Sequence, residues 1–281
     1  MLRVGTRVYS GAKYTDPEYP GFTPIICLTK STAYGSLGPY VLKTKEGYIM
    51  ENIYQGSKIY ETIPANVQRY SRYDSTIIWD HPAETHLKDG VPTPEMLAWR
   101  MKVFTNEYPL RYPVGMKWRS ECVGSITQED LDTYLEGKGE FKLLSYIEAR
   151  KVIYWREYRD AVVKEKQFLQ LRQRLAKGEN LLIIEVDGPH QESLSYYMKT
   201  YGVNKDFIVN RTMLATEYNL KLMIDDSRHA FGHCFCLAAA LQGIDMETPM
   251  PPLPIKKKKI VVNKYSDEED EEDQDEEEKK N

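Results

Sequence analysis

The polar and apolar positions between residues 47 and 60 set the frame for the rest of the chain. In Gly47-Tyr-Ile-Met-Glu51-Asn-Ile-Tyr54-Gln55-Gly-Ser-Lys58-Ile-Tyr60, helical spacing gathers Ile49, Ile53, Gly56 and Tyr60 into one stripe. It places Glu51, Gln55 and Lys58 in another, nearly opposite. The pattern predicts a helix that opens after a turn at Lys45-Glu-Gly47 and is ended by Pro64. On pattern alone the polar row is a solvated face. The competing reading is a carboxylate, an amide and an ammonium aligned to hold a polar ligand. Before this helix, Arg7-Val-Tyr, Thr23-Pro-Ile-Ile-Cys-Leu and Tyr40-Val-Leu-Lys have the composition of short strands separated by Gly and Pro clusters.

Further along, Thr93-Pro94-Glu95 predicts an N-cap with proline at the first helical position, and Met96, Leu97, Trp99 and Val103 continue that helix. Thr127-Gln-Glu-Asp130 opens a short helix ending near Gly137, and Ser145-Tyr-Ile-Glu148 is a second capping box. The apolar spacing after it predicts one long helix or two broken near Lys164, with Gly178 as the C-terminal cap. Leu181-Leu-Ile-Ile-Glu-Val186 is the clearest strand, a continuous apolar run buried on both faces. It runs into Asp187-Gly-Pro-His190, where Asp187 either caps the turn or lines a site. Helices are expected over 211–223 and 231–241, the second ended by Gly243. The fold class expected is α+β: a helix-rich single domain over residues 1–248 with a small β-sheet that includes 181–186.

Composition adds a division of charge. The acids of Asp267–Glu278 number 11 of 42, and Lys256–Lys259 with Lys264, Lys279 and Lys280 hold 7 of 38 bases, leaving 31 of each in the body. A neutral body argues against a globally basic nucleic-acid binder. Residues 249–265 read as a Pro/Lys-rich linker and 266–281 as a disordered acidic tail. The tetralysine is either a nuclear-import patch or a partner for that tail. No apolar run is long enough for a membrane span, and the N-terminus lacks a signal-peptide core. Cys27, Cys122, Cys234 and Cys236 follow no framework spacing, which suggests reduced thiols in a cytoplasmic setting. His81-Pro-Ala-Glu84-Thr-His86 invites a metal reading, but the five-residue separation is not that of HExxH, and a hydrogen-bonded loop is preferred. His229, His233, Cys234 and Cys236 are zinc ligands by type only. Their spacing fits buried structural thiols better. Arg111 and Arg119 are capable of meeting phosphate, yet surface ion pairing is the simpler assignment.

The segment Glu51-Asn-Ile-Tyr54-Gln55-Gly-Ser-Lys58-Ile-Tyr60, with Tyr40-Val-Leu-Lys-Thr-Lys-Glu-Gly47 before it, resembles the motif of the NADAR (YbiA-like) family. Leu214-Ala-Thr216 leading to Asp225-Asp226 echoes a second stretch of that family. The family Trp after this acid is absent, and the Gly-rich lead into the last helix is reduced to Gly232. The chain as a whole also resembles uncharacterised proteins of large DNA viruses. The NADAR resemblance implies hydrolysis of a C1′–N bond in a ribosylated substrate, such as ADP-ribosylated nucleic acid or a ribose-phosphate nucleotide. Under it Glu51 stabilises the oxocarbenium-like state and orients water, and Asp226 matches the second acid. Tyr54 and Gln55 orient the sugar or base, Lys58 meets phosphate as a point charge, and Asp187 and His229 complete the substrate-binding candidates. Such chemistry requires no metal or redox cofactor. A non-catalytic binder of ADP-ribose or nucleic acid, and a structural viral protein, remain alternatives.

Overall fold

The computed structural model describes residues 1–28, 31, 33–72, 74–113 and 118–250, leaving aside the side chains of 118 and 119. The expectations placed on Arg119 and on the linker and tail beyond residue 250 fall outside the described residues. Met1–Pro251 form one α+β unit.

Its largest sheet has four strands: β1 (Leu2–Thr6), β2 (Thr23–Ile26), β3 (Leu181–Glu185) and β4 (Thr212–Leu214). The spatial order is β4-β1-β3-β2. β3 pairs in parallel with β1, Leu2 opposite Leu181 through Thr6 opposite Glu185, and in parallel with β2. β4 closes the other side of β1 antiparallel. Every residue of β1 and β3 is buried, which explains the unbroken apolar run 181–184, since a strand covered on both faces has no solvent side. β1 hides the same environment behind a less regular sequence. Its Arg3 guanidinium lies 3.8 Å from the centre of the Tyr19 ring and donates to Thr212 Oγ1, and Gly5 occupies a position too tight for a methyl group beside Pro17.

α1 (Met50–Gly56) ends earlier than its apolar stripe predicts. Gly56 packs against α2 (Pro94–Phe104), where an added methyl would come within 2.8 Å of the Phe104 ring. From Lys58 the chain becomes extended, and Lys58–Ile59 pairs with Gly124–Ser125. Tyr40–Lys43 does not form a strand; Lys43 makes one bridge to Ile49. The Thr93 cap and the Ser145/Glu148 capping box are both present. The break expected near Lys164 separates Arg156–Val162 from Lys166–Ala176, and a π-helical turn at Arg150–Trp155 lies before it. The helix expected over 211–223 begins later: β4 takes Thr212–Leu214, and Thr216 then caps α4 (Glu217–Asp225). α3 (Leu194–Tyr201) precedes β4, and α5 (His233–Gln242) ends at Gly243 in a left-handed conformation.

Three buried clusters organise the interior. The largest joins the four-stranded sheet to α5 and to Tyr158, Ala161 and Val162. Smaller ones form around Trp99 and Tyr112 and around Ile59 and Ile126. Arg100, 1% exposed, ties these regions together by donating to Gly56 O, Ile126 O and Gln128 Oε1. Arg100→Ala is expected to lower stability by about 2–4 kcal/mol, since it opens a cavity and strands two buried carbonyls. The measurement is the shift of the urea midpoint.

Candidate active site

α1 turns its polar face inward. Glu51, Asn52 and Gln55 are buried, while Ile53 keeps partial exposure. Asn52 serves the neighbouring backbone, with Oδ1 accepting from Leu110 N–H and Nδ2 donating to Tyr108 O. Gln55 Nε2 donates to Glu51 Oε1 at 2.5 Å, and its Oε1 accepts from Lys58 Nζ at 2.7 Å and from Tyr112 N–H at 3.3 Å. The order carboxylate–amide–ammonium therefore survives although Lys58 lies on a strand. Lys58 also sits 4.8 Å from the Tyr54 ring centre, and Tyr54 meets Tyr154 edge-on.

Charge defines which groups converge on Glu51. Burial raises its carboxyl pKa, opposed by the Gln55 hydrogen bond and then by the positive charges of Lys58, Arg111 and His233. Burial likewise pushes Lys58 down to about 8, against the pull of Glu51. Tyr40, shifted upward first by burial and then by Glu51, feels Arg111, Asp187 and Glu185 as well. Tyr40, Tyr54 and Lys58 keep some surface in water, and Asp187 and Arg111 are exposed.

His233, whose charge acts on Glu51, belongs to a buried ion pair that the sequence does not announce. Glu185, the last residue of β3, lies 3.0 Å from His233 Nδ1, and its Oε2 accepts from Cys234 N–H at 3.0 Å. A carboxylate at the start of α5 also complements the helix dipole. Burial opposes ionisation of both groups. The attraction of His233 and the hydrogen bonds nevertheless hold Glu185 below the usual carboxylate range, and Glu185 holds His233 above the usual imidazole range. Gly232 is required by this arrangement, since a Cβ there would lie 2.8 Å from Glu185 Cδ. Asp187 follows two residues later; burial and then the Glu185 charge raise its carboxyl, against the charges of Arg111, His190 and His233.

Asp226 belongs to a separate group. Its carboxylate, 2% exposed, accepts from the hydroxyls of Tyr196 and Tyr197, both at 3.0 Å, and from Tyr201 at 3.4 Å, all on α3. Arg228 N–H adds a fourth bond. His229 packs on Tyr196 and Tyr197 and stacks with His190, ring centres 5.8 Å apart. Burial lowers its imidazole pKa, against Asp226. The structure thus joins Glu51, Gln55 and Lys58 by hydrogen bonds with Tyr54 against Lys58, sets Asp187 in the surroundings of Glu185 and His233, and places Asp226 and His229 in a cage beside the loop leading to Gly232.

Elsewhere, His86 Nε2 meets Glu84 Oε2 at 3.0 Å and Tyr112 OH at 2.8 Å, a buried network in the 64–126 region. Cys234 and Cys236 are buried free thiols, raised by burial. Among the described residues, no group of three or more His, Cys, Asp or Glu side chains is placed to hold a metal ion, and no helix is long and apolar enough to cross a membrane. A cavity of about 570 Å³, bordered by Thr44, Ile53, Phe104, Asp132 and Glu157, opens on the other flank of α1 and contains none of the sequence-predicted site residues. No family model, curated protein or solved structure matches this chain.

Proposed function

We propose that the chain is a NADAR-like N-glycosidase that hydrolyses the C1′–N bond of a ribosylated substrate, with Glu51 as its central acid/base. The observation that carries this reading is the state of Glu51: a buried carboxyl with elevated proton affinity, hydrogen-bonded by Gln55 and in the field of Lys58, Arg111 and His233. A carboxyl tuned above its ordinary range is suited to exchanging a proton near neutral pH. Ionised, it stabilises positive charge developing on the anomeric carbon and takes a proton from the attacking water. Gln55 orients the carboxylate, the Tyr54 ring flanks the sugar, and Lys58 attracts an anionic group. Asp187, exposed after β3, accepts from ribose hydroxyls. Asp226 and His229 act at one remove, as positioning residues for the loop that carries Gly232.

The test is incubation of the full chain with ADP-ribosylated guanosine nucleic acid and quantification of free ADP-ribose. Release that rises with pH, along a limb above the ordinary carboxylate range, is expected as Glu51 ionises. Binding without release on every ribosylated substrate tried would instead make the chain a reader of such ligands. Neither binding nor release would leave it a structural protein.

A further inference from the structure

The cavity on the other flank of α1 takes no part in the proposed reaction, and its lining is unequal in charge. The carboxylates of Glu46, Glu129, Asp132, Glu136 and Glu157 border it, against the cations Lys45 and Arg156. Arg156 is engaged elsewhere, its guanidinium forked onto Glu247 at 2.9 Å and 2.6 Å. Lys45 meets Glu46 at 3.5 Å, and Lys138 pairs with Glu136 at 2.7 Å. Among the described residues no ion pair reaches Glu129, Asp132 or Glu157. Glu129, Asp132 and Glu136 stand three and four residues apart on the helix Gln128–Leu135 and its cap, so they share one face. Like charges at that spacing repel.

Between these acids the lining is apolar: Phe104 and Ile153 are buried and Ile53 half-buried. Thr44 adds a polar atom to the wall. The residue is 9% exposed, and its Oγ1, beside the Glu46 carboxylate, forms no hydrogen bond of good geometry. Its lone pairs are open to a donor. A second cavity of about 370 Å³ shares Thr44, Lys45 and Glu157 with the first and extends to Asp160 and Lys164. Burial, and then the charges of Glu46 and Asp160, raise the Glu157 carboxyl pKa against Lys45 and Arg156, so acids crowd one another where the cavities meet.

We propose that the joined cavities bind a linear aliphatic polyamine, its methylenes on Ile53, Phe104 and Ile153 and its ammonium groups on Glu129, Asp132 and Glu157, with Thr44 Oγ1 accepting one N–H. Side chains three or four apart on a helix lie about 5–6 Å from each other, a separation matched by ammonium groups bridged by three or four methylenes. A bare divalent cation fits less well, because it needs several oxygens converging on one point. Among the described residues no group of three or more acidic, His or Cys side chains is placed to do that. The sign of the lining opposes an anion, and a neutral apolar ligand would strip water from the carboxylates and return nothing. A polyamine supplies both the charge and the apolar stem. The site uses none of Glu51, Gln55 or Lys58, so it stands or falls apart from the hydrolase reading.

The experiment is calorimetric titration of the full chain with spermidine, putrescine, butylamine and magnesium chloride, in wild type, Thr44→Val and Glu157→Gln. The acids of Asp267–Glu278 give a background that every variant shares, so the readout is the difference between variants. Wild type is expected to bind spermidine more tightly than putrescine and putrescine more tightly than butylamine, with affinity falling as salt rises. Thr44→Val and Glu157→Gln should each weaken spermidine by about 3–10-fold, the scale of one hydrogen bond or one partly exposed ion pair. The melting temperature of ligand-free Thr44→Val serves as control and should hold or rise, because the hydroxyl it removes is buried without a bond. A structural role for Thr44 would move that temperature and leave the affinity alone. Equal spermidine affinity in wild type and both variants overturns the site. So does butylamine binding as tightly as spermidine, or magnesium displacing spermidine at equal concentration, since either reduces the lining to diffuse negative charge.

Discussion

Glu51→Gln should reduce release of ADP-ribose by about 10²–10⁴-fold, the range attributed to a positioned acid or base, while leaving the fold intact. The side chains differ by one atom type, and Gln retains an oxygen able to accept from Gln55 Nε2. What is lost is the proton and the negative charge. The stability of the variant provides an independent check with a definite sign. A carboxyl whose folded pKa is raised gives stability that is complete below its unfolded value and disappears as pH rises through the folded value. Gln behaves as the protonated form at every pH. The variant is therefore expected to melt at or above wild type at pH 8, with the gap closing toward pH 4. A variant with wild-type turnover would remove Glu51 from the chemistry, and one less stable at pH 8 than at pH 4, relative to wild type, would contradict its burial as an ionisable group.

Glu185→Ala should be the most damaging single change to stability, by about 3–5 kcal/mol, because it leaves the His233 imidazole buried without its partner. The same truncation strands Cys234 N–H at the start of α5. The pH dependence follows from both partners. The Glu185 contribution is present above the ordinary value of 4.5 and fades as pH falls through its lowered one. That of His233 is complete below 6.5 and fades as pH rises through its raised one. The cost of the mutation should accordingly be greatest between those two ordinary values, measured as the difference in urea midpoint across a pH series. Gly232→Ala should give a related but differently shaped loss. It pushes the carboxylate away without deleting it, so the helix start is disturbed while the charges remain. A Glu185→Ala protein with an unchanged midpoint from pH 4 to pH 8 would show that the pair contributes nothing.

Local signals are legible where one residue decides one bond. Thr93, Ser145 and Gly243 did what their chemistry dictates, because a cap is a contact within four residues. The buried run 181–184 also declared itself. The errors lie where distant packing overrules spacing. The stripe through Tyr60 implied a longer α1, but Gly56 meets the Phe104 ring and the chain leaves the helix to pair with Gly124–Ser125. β1 is hidden in the sequence because Arg3 and Gly5 break any apolar pattern, and their fit depends on Tyr19, Thr212 and Pro17. At the site, the Glu51–Gln55 pair is legible because four-residue spacing along α1 brings side chains together, whereas Lys58 reaches Gln55 from the strand that follows the helix. Glu185 is not legible, because an acid ending an apolar strand gains meaning only once α5 folds over it.

The parallel pairing of Leu2–Thr6 with Leu181–Glu185, and its antiparallel pairing with Thr212–Leu214, sets an order of events on the ribosome. At about 5–20 residues per second, the first strand waits roughly ten to forty seconds before either neighbour emerges. During that interval Leu2 and Val4 have no sheet to enter, and the growing polypeptide is open to proteases and holding chaperones. Nascent chains arrested before residue 180 should be digested throughout, whereas chains released after residue 250 acquire resistance in a single late step.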